Sequence, residues 1–177
     1  LGMLATVYRL YRDARDVAEA IYYTAFVKAQ VKSYGPNLQV NGPTNLNRNT
    51  VLGRDVHFNG LTVNGEGPVR IGDHFHSGQE CMIHTQKHDY EGGSQLPYAD
   101  GYVHEPVHIE DNVWLGHRVV ILPGVTIGEG AIIQMGSVVV RDVPKCAIVG
   151  GHPATQFDER DVERYDELRK RQLEREE

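Results

Sequence analysis

The chain has 177 residues, with 24 acidic and 18 basic side chains and a formal net charge of -6. This size fits one domain with short extensions, and the acidic balance argues against a general nucleic-acid binder, which is usually basic. With only Cys81 and Cys146 as cysteines, no signal-peptide pattern and no apolar run near the roughly 20 residues that span a bilayer, we expect a cytoplasmic protein without a disulfide scaffold.

Residues 2–33 are predicted to form a helix that ends before Gly35-Pro36. Its apolar positions follow helical spacing along one face, and most of its charged positions fall on the other face. The apolar positions are Leu4, Val7, Leu10, Tyr11, Ala14, Val17, Ala18, Ile21, Tyr22 and Ala25. We expect this face to pack on the chain's own domain or on a neighbouring subunit. The alternative is a helix lying on a membrane surface, because its net charge is slightly positive and it is rich in tyrosine.

Two mostly apolar positions repeat every six residues between Val107 and Val143. Their spacing of two within each unit indicates a short strand with both side chains pointing inward, followed by a turn. A short strand and a turn, repeated, are typical of a β-solenoid. The first series is Ile109, Leu115, Ile121, Ile127, Ile133 and Val139, and the second is Val107, Val113, Val119, Val125, Ala131, Ser137 and Val143.

The solenoid is predicted to extend over residues 37–156, with an irregular early part. Leu52-Gly53 and Ile71-Gly72 resemble the later Ile127-Gly128, and a glycine after an inward aliphatic residue suits a corner where a Cβ would crowd or φ is unusual. Between residues 89 and 106 the repeat is interrupted by a loop rich in glycine and proline. A structureless loop of about 18 residues inside a compact repeat is more often functional than accidental.

The sequence therefore divides into an N-terminal helical segment (1–36), the β-solenoid (37–156) with its protruding loop (89–106), and a C-terminal tail (157–177). The tail is almost wholly charged, and Asp166 with Lys170 and Glu167 with Arg171 are spaced as i,i+4 pairs. We interpret it as a short, charged and solvated helix.

Three runs in the second half of the chain carry a family resemblance. Residues 109–116 (IEDNVWLG), 120–128 (VILPGVTIG) and 136–139 (GSVV) closely resemble the hexapeptide-repeat acyltransferases, and most of all their sugar O-acetyltransferase branch. The resemblance implies a left-handed parallel β-helix with three hexads per coil. It also implies a homotrimer whose active sites lie between neighbouring subunits, with acetyl-CoA as co-substrate, a sugar-type acceptor and no metal requirement.

His88 is the predicted general base. Acetyl transfer from a thioester to a hydroxyl needs a group that removes the hydroxyl proton, and histidine suits this task near neutral pH. His88 lies where the repeat ends, and the triplet His88-Asp89-Tyr90 resembles the family's catalytic-histidine motif. His84 is expected to line the site. Asp89 is expected to orient the imidazole, to bind a sugar hydroxyl or simply to cap the loop, and Glu105 is a weaker candidate for the first of these tasks.

The acetyl-CoA site is predicted by the same resemblance. Trp114 should point outward beside the acceptor and the thioester, and the backbone N–H of His117 should face the thioester oxygen. Met135 and Val140 depart from the residues that the family commonly has there, whereas Arg141 keeps a charge for a CoA phosphate. The complete predicted set that contacts CoA is Trp114, Gly116, His117, Met135, Gly136, Val140, Arg141, Gly151 and His152.

Three alternatives stay open at this stage. One is N-acetylation of an amino sugar or another small acceptor, and another is a trimeric β-solenoid scaffold without catalysis. The third is a zinc hydratase resembling the γ-class carbonic anhydrases, because the chain has nine histidines. That class has two zinc histidines five residues apart after the loop, but Leu122 stands five residues after His117. We therefore predict no metal site. The acceptor itself is not identified by the sequence.

Overall fold

The computed structural model describes residues 2–92 and 95–176. Over those residues the chain forms two helices and seventeen short strands, which lie mostly in parallel sheets. In chain order the elements are α1 (Gly2–Gln30), β1 (Gln39–Val40), β2 (Thr50–Leu52), β3 (His57–Phe58), β4 (Leu61–Asn64), β5 (Val69–Ile71), β6 (His76–Ser77), β7 (Cys81–His84), β8 (Gln86–His88), β9 (Tyr102–His104), β10 (Val107–Ile109), β11 (Trp114–Leu115), β12 (Val120–Ile121), β13 (Thr126–Ile127), β14 (Ile132–Ile133), β15 (Val138–Val139), β16 (Ala147–Gly151), β17 (Ala154–Glu159) and α2 (Val162–Leu173).

The strands stack into three sheets that form the faces of a solenoid of about six coils. Sheet A contains β2, β5, β10 and β13; sheet B contains β1, β3, β6, β11, β14, β16 and β17; and sheet C contains β4, β7, β12 and β15. In the later coils Trp114 pairs with Ile132 and Val120 with Val138. Each partner lies three repeat units further along the chain, which confirms that three hexads make up one coil.

The core is a column of inward side chains at the two repeating positions. Ile109, Leu115 and Ile121 are each at most 1% exposed, and Ser137 is as fully buried as the valines in its series. In the early coils Phe58 and Phe75 fill the interior, with ring centroids 5.6 Å apart. Burial of an unbroken apolar column is the main force that holds the coils together.

Glycine at the corners is required by close packing between coils. A Cβ on Gly116 would lie 2.5 Å from the backbone nitrogen of Met135, and one on Gly128 would lie 2.6 Å from that of Lys145. Neither glycine has a positive φ. Of the two reasons expected for these glycines, crowding by the next coil is therefore the one that applies at Gly116 and Gly128.

Helix α1 caps the first coil with its last turns. Val27 is buried, Tyr23 packs against the core, and the hydroxyl of Thr24 accepts the backbone N–H of Val40 at 3.0 Å. The helix ends at Gln30 rather than at residue 33, because Lys32 donates its N–H to Thr50 (2.9 Å) and so joins the first coil.

The apolar stripe of α1 does not face the solenoid. Val17, Ile21 and Tyr22 are 61%, 67% and 63% exposed. Packing on the chain's own domain thus uses a different face from the one that the periodicity indicated, and contact with a neighbouring subunit or a membrane surface stays a prediction. Neither helix, over its described residues, has the length and apolar content needed to cross a bilayer.

Helix α2 is the short, charged C-terminal helix that was predicted, and in addition it is attached to the solenoid. β17 first pairs antiparallel with β16, and the Asp161 side chain then caps α2 by accepting the N–H of Arg164. Arg169 binds Asp111 at 2.6 Å and Glu129 at 3.1 Å, and the Tyr165 hydroxyl donates to Glu129 at 3.0 Å. Although α2 buries no residue completely, one of its faces is held to the corner between sheets A and B.

Candidate active site

The predicted loop begins as a hairpin. β8 and β9 pair antiparallel, with His88 opposite Tyr102. Lys87 and Glu105 form an ion pair of 2.7 Å across the base of the hairpin, and the Glu105 N–H donates to the carbonyl of Thr85 at 2.9 Å. The Glu105 carboxylate raises the pKa of Lys87. Glu105 therefore fixes the loop ends and does not contact the imidazole of His88.

His88 is half-buried at the end of β8 and is contacted by two tyrosine rings. The Tyr98 ring stacks on it with centroids 3.8 Å apart and planes at 17°, and the Tyr102 ring lies at 4.5 Å and 37°. No described side chain or backbone group hydrogen-bonds to either ring nitrogen of His88. The imidazole edge is therefore free to accept a proton.

The Asp89 side chain accepts hydrogen bonds from the backbone of the loop. Its Oδ1 accepts the N–H of Gly92 at 2.7 Å and that of Glu91 at 3.3 Å. Both bonds match the loop-capping role considered from the sequence. The Oδ2 atom makes no such bond to a described residue and is available to a ligand.

His84 ends β7 and lines a shallow groove of about 370 Å³ beside the hairpin. Leu122, Pro123 and Val140 form the apolar part of that groove, and the Lys87–Glu105 pair borders it. Arg141 follows Val140 and is exposed. The structure thus brings His84 together with Val140, and it places both where the strands of sheet C end.

Trp114 begins β11 of sheet B, and the residues after Leu115 form the corner between sheets B and C. Trp114 is 50% exposed and lies between His76 and Ile132 on the outer face of sheet B. The carbonyl of His117 accepts the N–H of Gly136 at 2.8 Å, which places Gly116, His117, Met135 and Gly136 on adjacent coils. Among residues 2–92 and 95–176, no group accepts the backbone N–H of His117.

The last predicted CoA contacts lie at the turn between β16 and β17. The N–H of Gly151 donates to the buried Ser137 hydroxyl at 3.2 Å, and His152 is exposed in the turn. This turn belongs to the same sheet as Trp114.

The predicted residues therefore form two groups in one chain. Trp114, Gly116, His117, Met135 and Gly136 lie where the strands of sheet C begin. His84, His88, Val140 and Arg141 lie where those strands end. One face of the solenoid separates the two groups.

Two contacts were not anticipated from the sequence. Tyr98 lies in the loop beyond His88 and Tyr102 begins β9, and no local periodicity connects either of them to the histidine. Their proximity depends on the hairpin register. In the sequence, the only indication of these contacts was the presence of two tyrosines in the glycine-rich loop that follows His88.

Metal binding has no candidate cluster in the part of the chain that the structure describes. No three His, Cys, Asp or Glu side chains are grouped there closely enough to hold an ion. His57 and His76 are neighbouring imidazoles, with ring centroids 5.9 Å apart. The His76 nitrogen Nε2 already lies 3.2 Å from the Asn59 amide.

Comparison with known proteins bears on the enzyme class and the fold. The family model "Bacterial transferase hexapeptide (six repeats)" matches residues 106–141. The galactoside O-acetyltransferase of Lactococcus lactis is 29% identical over 151 residues, which are 81% of this chain and 72% of the relative. A hexapeptide-repeat acetyltransferase structure from Vibrio cholerae superposes with a TM-score of 0.70 at 27% identity, covering 88% of this chain and 89% of the other.

The chain is an acyltransferase whose residues 106–141 carry the hexapeptide repeat. A galactoside acetyltransferase solved in complex with coenzyme A is also similar, with a TM-score of 0.68 and 29% identity over 79% of this chain and 71% of that one. The fold of this acyltransferase is the left-handed parallel β-helix that the resemblance implied, with one helix at each end. The enzyme class and the fold are thereby confirmed.

Proposed function

We propose that this acyltransferase moves the acetyl group of acetyl-CoA to a hydroxyl of a sugar or glycan, with His88 as general base. The observation that carries the proposal is the free edge of the His88 imidazole, which no described group hydrogen-bonds. The base accepts the hydroxyl proton while the sugar oxygen attacks the thioester carbonyl directly. Coenzyme A leaves as the thiol, and no covalent enzyme intermediate is needed.

The negative charge on the thioester oxygen needs a donor. A fixed donor that is already free when substrate arrives is the most effective kind. The backbone N–H of His117 meets this requirement. Because the donor belongs to the backbone, it does not depend on the imidazole of His117.

Acetyl-CoA is the proposed co-substrate. The V. cholerae acetyltransferase has been solved with acetyl coenzyme A and the galactoside acetyltransferase with coenzyme A. In this chain Leu122 and Val140 provide an apolar wall for the pantetheine arm, and Arg141 provides a charge for a phosphate. Trp114, Met135 and the Gly151–His152 turn complete the proposed contacts.

A sugar hydroxyl is the proposed acceptor. The L. lactis and Escherichia coli relatives are both galactoside O-acetyltransferases. The Asp89 Oδ2 atom, His84 and the exposed face of Trp114 supply two polar groups and one stacking surface, a combination suited to a sugar ring. The two cysteines are free and buried, which fits a reducing compartment, so we place the reaction in the cytoplasm.

We further propose that the complete site is shared between two copies in a homotrimer. In one chain, Trp114 lies near the start of the sheet C strands and His88 lies near their end, so the two residues border opposite sides of that face of the solenoid. We call these two sides the Trp114 edge and the His88 edge. Rotational symmetry would place the His88 edge of one subunit against the Trp114 edge of the next, and three such contacts close a ring.

The test is release of CoA thiol from acetyl-CoA across a panel of sugars and amino sugars. His88→Ala is expected to lower kcat by about 10²–10⁴-fold on the best acceptor. His104→Ala is the matched control, since His104 lies in the same hairpin and is exposed, and it should keep wild-type activity. Full activity in His88→Ala would refute the proposed base.

The panel also separates the alternatives. If amino sugars are preferred and the products are N-acetylated, the acceptor group is an amine and the proposed hydroxyl acceptor is wrong. If no acceptor is turned over and acetyl-CoA does not bind in a calorimetric titration, the scaffold alternative would replace the enzymatic one.

A further inference from the structure

The hairpin brings two tyrosine rings onto the imidazole of His88. Tyr102 arrives as the cross-strand partner of His88 in the β8–β9 pair. Tyr98 arrives because the loop closes on itself, with the Ala99 N–H donating to the Asp89 carbonyl at 2.8 Å. The resulting centroid distances of 3.8 Å and 4.5 Å are those of direct ring contact.

Among residues 2–92 and 95–176, His88 has no polar partner of the kind that usually orients a catalytic imidazole. In most such sites a carboxylate or carbonyl accepts the N–H of one ring nitrogen and fixes the ring. The two carboxylates that the sequence offered for this task bind other groups, because Asp89 caps the loop and Glu105 pairs with Lys87. The contacts that the described residues make to this imidazole are ring contacts.

We infer that Tyr98 and Tyr102 are positioning residues, which hold His88 by ring contact in place of a carboxylate. The inference rests on the proposed role of His88 as general base. Stacking occupies the face of the imidazole and leaves both nitrogens at the free edge, where a hydroxyl can approach. The phenol faces also attract the positive charge that the ring gains when it takes the proton.

The tyrosine hydroxyls are not part of this role. Tyr98 and Tyr102 are 43% and 52% exposed, and neither hydroxyl hydrogen-bonds to a described residue. A phenylalanine at either position would keep the ring and lose only the hydroxyl. A leucine would remove the ring while remaining large and apolar.

The first experiment compares Tyr98→Leu with Tyr98→Phe in steady-state kinetics, and then repeats the pair at Tyr102. We expect each leucine variant to lower kcat by about tenfold, with an unchanged KM for acetyl-CoA. Each phenylalanine variant should stay within about twofold of wild type. Equal losses in the leucine and phenylalanine variants would assign the effect to the hydroxyl and overturn the inference.

The second experiment observes the ring contact without catalysis. In proton NMR, the carbon-bound ring protons of His88, assigned by their loss in His88→Ala, should lie upfield of those of the other histidines because of tyrosine ring currents. Tyr98→Leu should move them downfield, whereas Tyr98→Phe should not. Unshifted signals in the wild-type protein would overturn the inference.

The two experiments separate the possible failures. If His88→Ala retains activity while the NMR shift is present, the proposed base is wrong and the ring contact stands only as structure. If His88→Ala is inactive while both leucine variants keep full kcat, the base is correct and the positioning role is wrong.

Discussion

At the residue scale, the environment of His76 shows how a solvent-facing ladder on a β-helix perturbs a titrating group. His76 pairs in register with His57 on one side and Trp114 on the other. Partial burial lowers the pKa of His76, and the neighbouring imidazole of His57 lowers it further. Protonation of His76 is therefore less favourable in the folded chain than in the unfolded chain.

This shift predicts a loss of stability in mild acid. A histidine whose folded pKa is depressed contributes stability above its unfolded pKa of about 6.5, and that contribution is lost as the pH falls below this value. The free energy of unfolding should therefore fall as the pH drops below about 6.5, and it should fall less in His76→Asn. NMR titration should show the pKa of His76 moving upward in His57→Asn. An unchanged pKa in that variant would remove His57 as a cause.

At the element scale, α2 shows that a helix with no buried residue can still be attached to a domain. Its side-chain contacts reach Asp111 and Glu129, which lie on successive coils at one corner. Arg169 is the centre of this network, with its side chain 17% exposed. A largely desolvated arginine between two carboxylates contributes more than a surface pair, because solvent screens it less.

Removing that arginine should detach the helix. Arg169→Met is expected to lower the free energy of unfolding by about 1–2 kcal/mol, since it removes the cation that joins Asp111 to Glu129 and leaves Glu129 with the more distant Lys145, at 3.8 Å, as its cation. Urea unfolding measures the change, and hydrogen exchange should show faster exchange in α2. Lys170→Met, at the exposed neighbouring position, is the control and should match wild type. Equal stability of the two variants would mean that the ion pairs do not hold α2.

At the scale of the whole molecule, the regular coils separate the two groups of site residues. Each coil begins its sheet C strand beside the Trp114 group and ends it beside the His88 group. The stacked coils extend these groups into two parallel edges of one face. The solenoid of a single subunit can thus offer two half-sites, and a ring of subunits can join them.

Mixing a chain altered at His88 with a chain altered at Trp114 should restore activity if the site is shared and each variant alone is inactive. In a 1:1 co-expression of His88→Ala with Trp114→Ala, one half of the His88 edges and one half of the Trp114 edges are intact, so about a quarter of the trimer sites are complete. Thiol release should recover to about a quarter of wild type. The control is His88→Ala with Tyr98→Leu, whose changes lie on the same edge, so that the activity of the mixture should not exceed the mean of the two variants measured alone. No recovery in the first mixture would contradict a shared site.

Much of the fold and part of the site followed from the sequence. The inward positions from Val107 to Val143 were predicted by a six-residue period, and the structure buries them. His88 was singled out by its motif and its place at the break in the repeat. Tyr98 and Tyr102 were not, because their contact depends on a hairpin register that local spacing does not encode. The contacts of α2 were also missed, since its charges formed plausible pairs within the helix.

The sequence by itself determined that the chain is a β-solenoid, because side chains at a spacing of six can be buried together when each unit is a short strand followed by a corner. Only the tertiary structure decided which coils are neighbours across the loop. Val107 pairs with Val69 on the far side of the whole loop, whereas His108 pairs with Thr126 just one regular coil further along. The coil that contains the loop has more residues than a regular coil. The strands before and after the loop must still pair to satisfy their backbone hydrogen bonds, so the extra residues fold outward as the hairpin that carries His88.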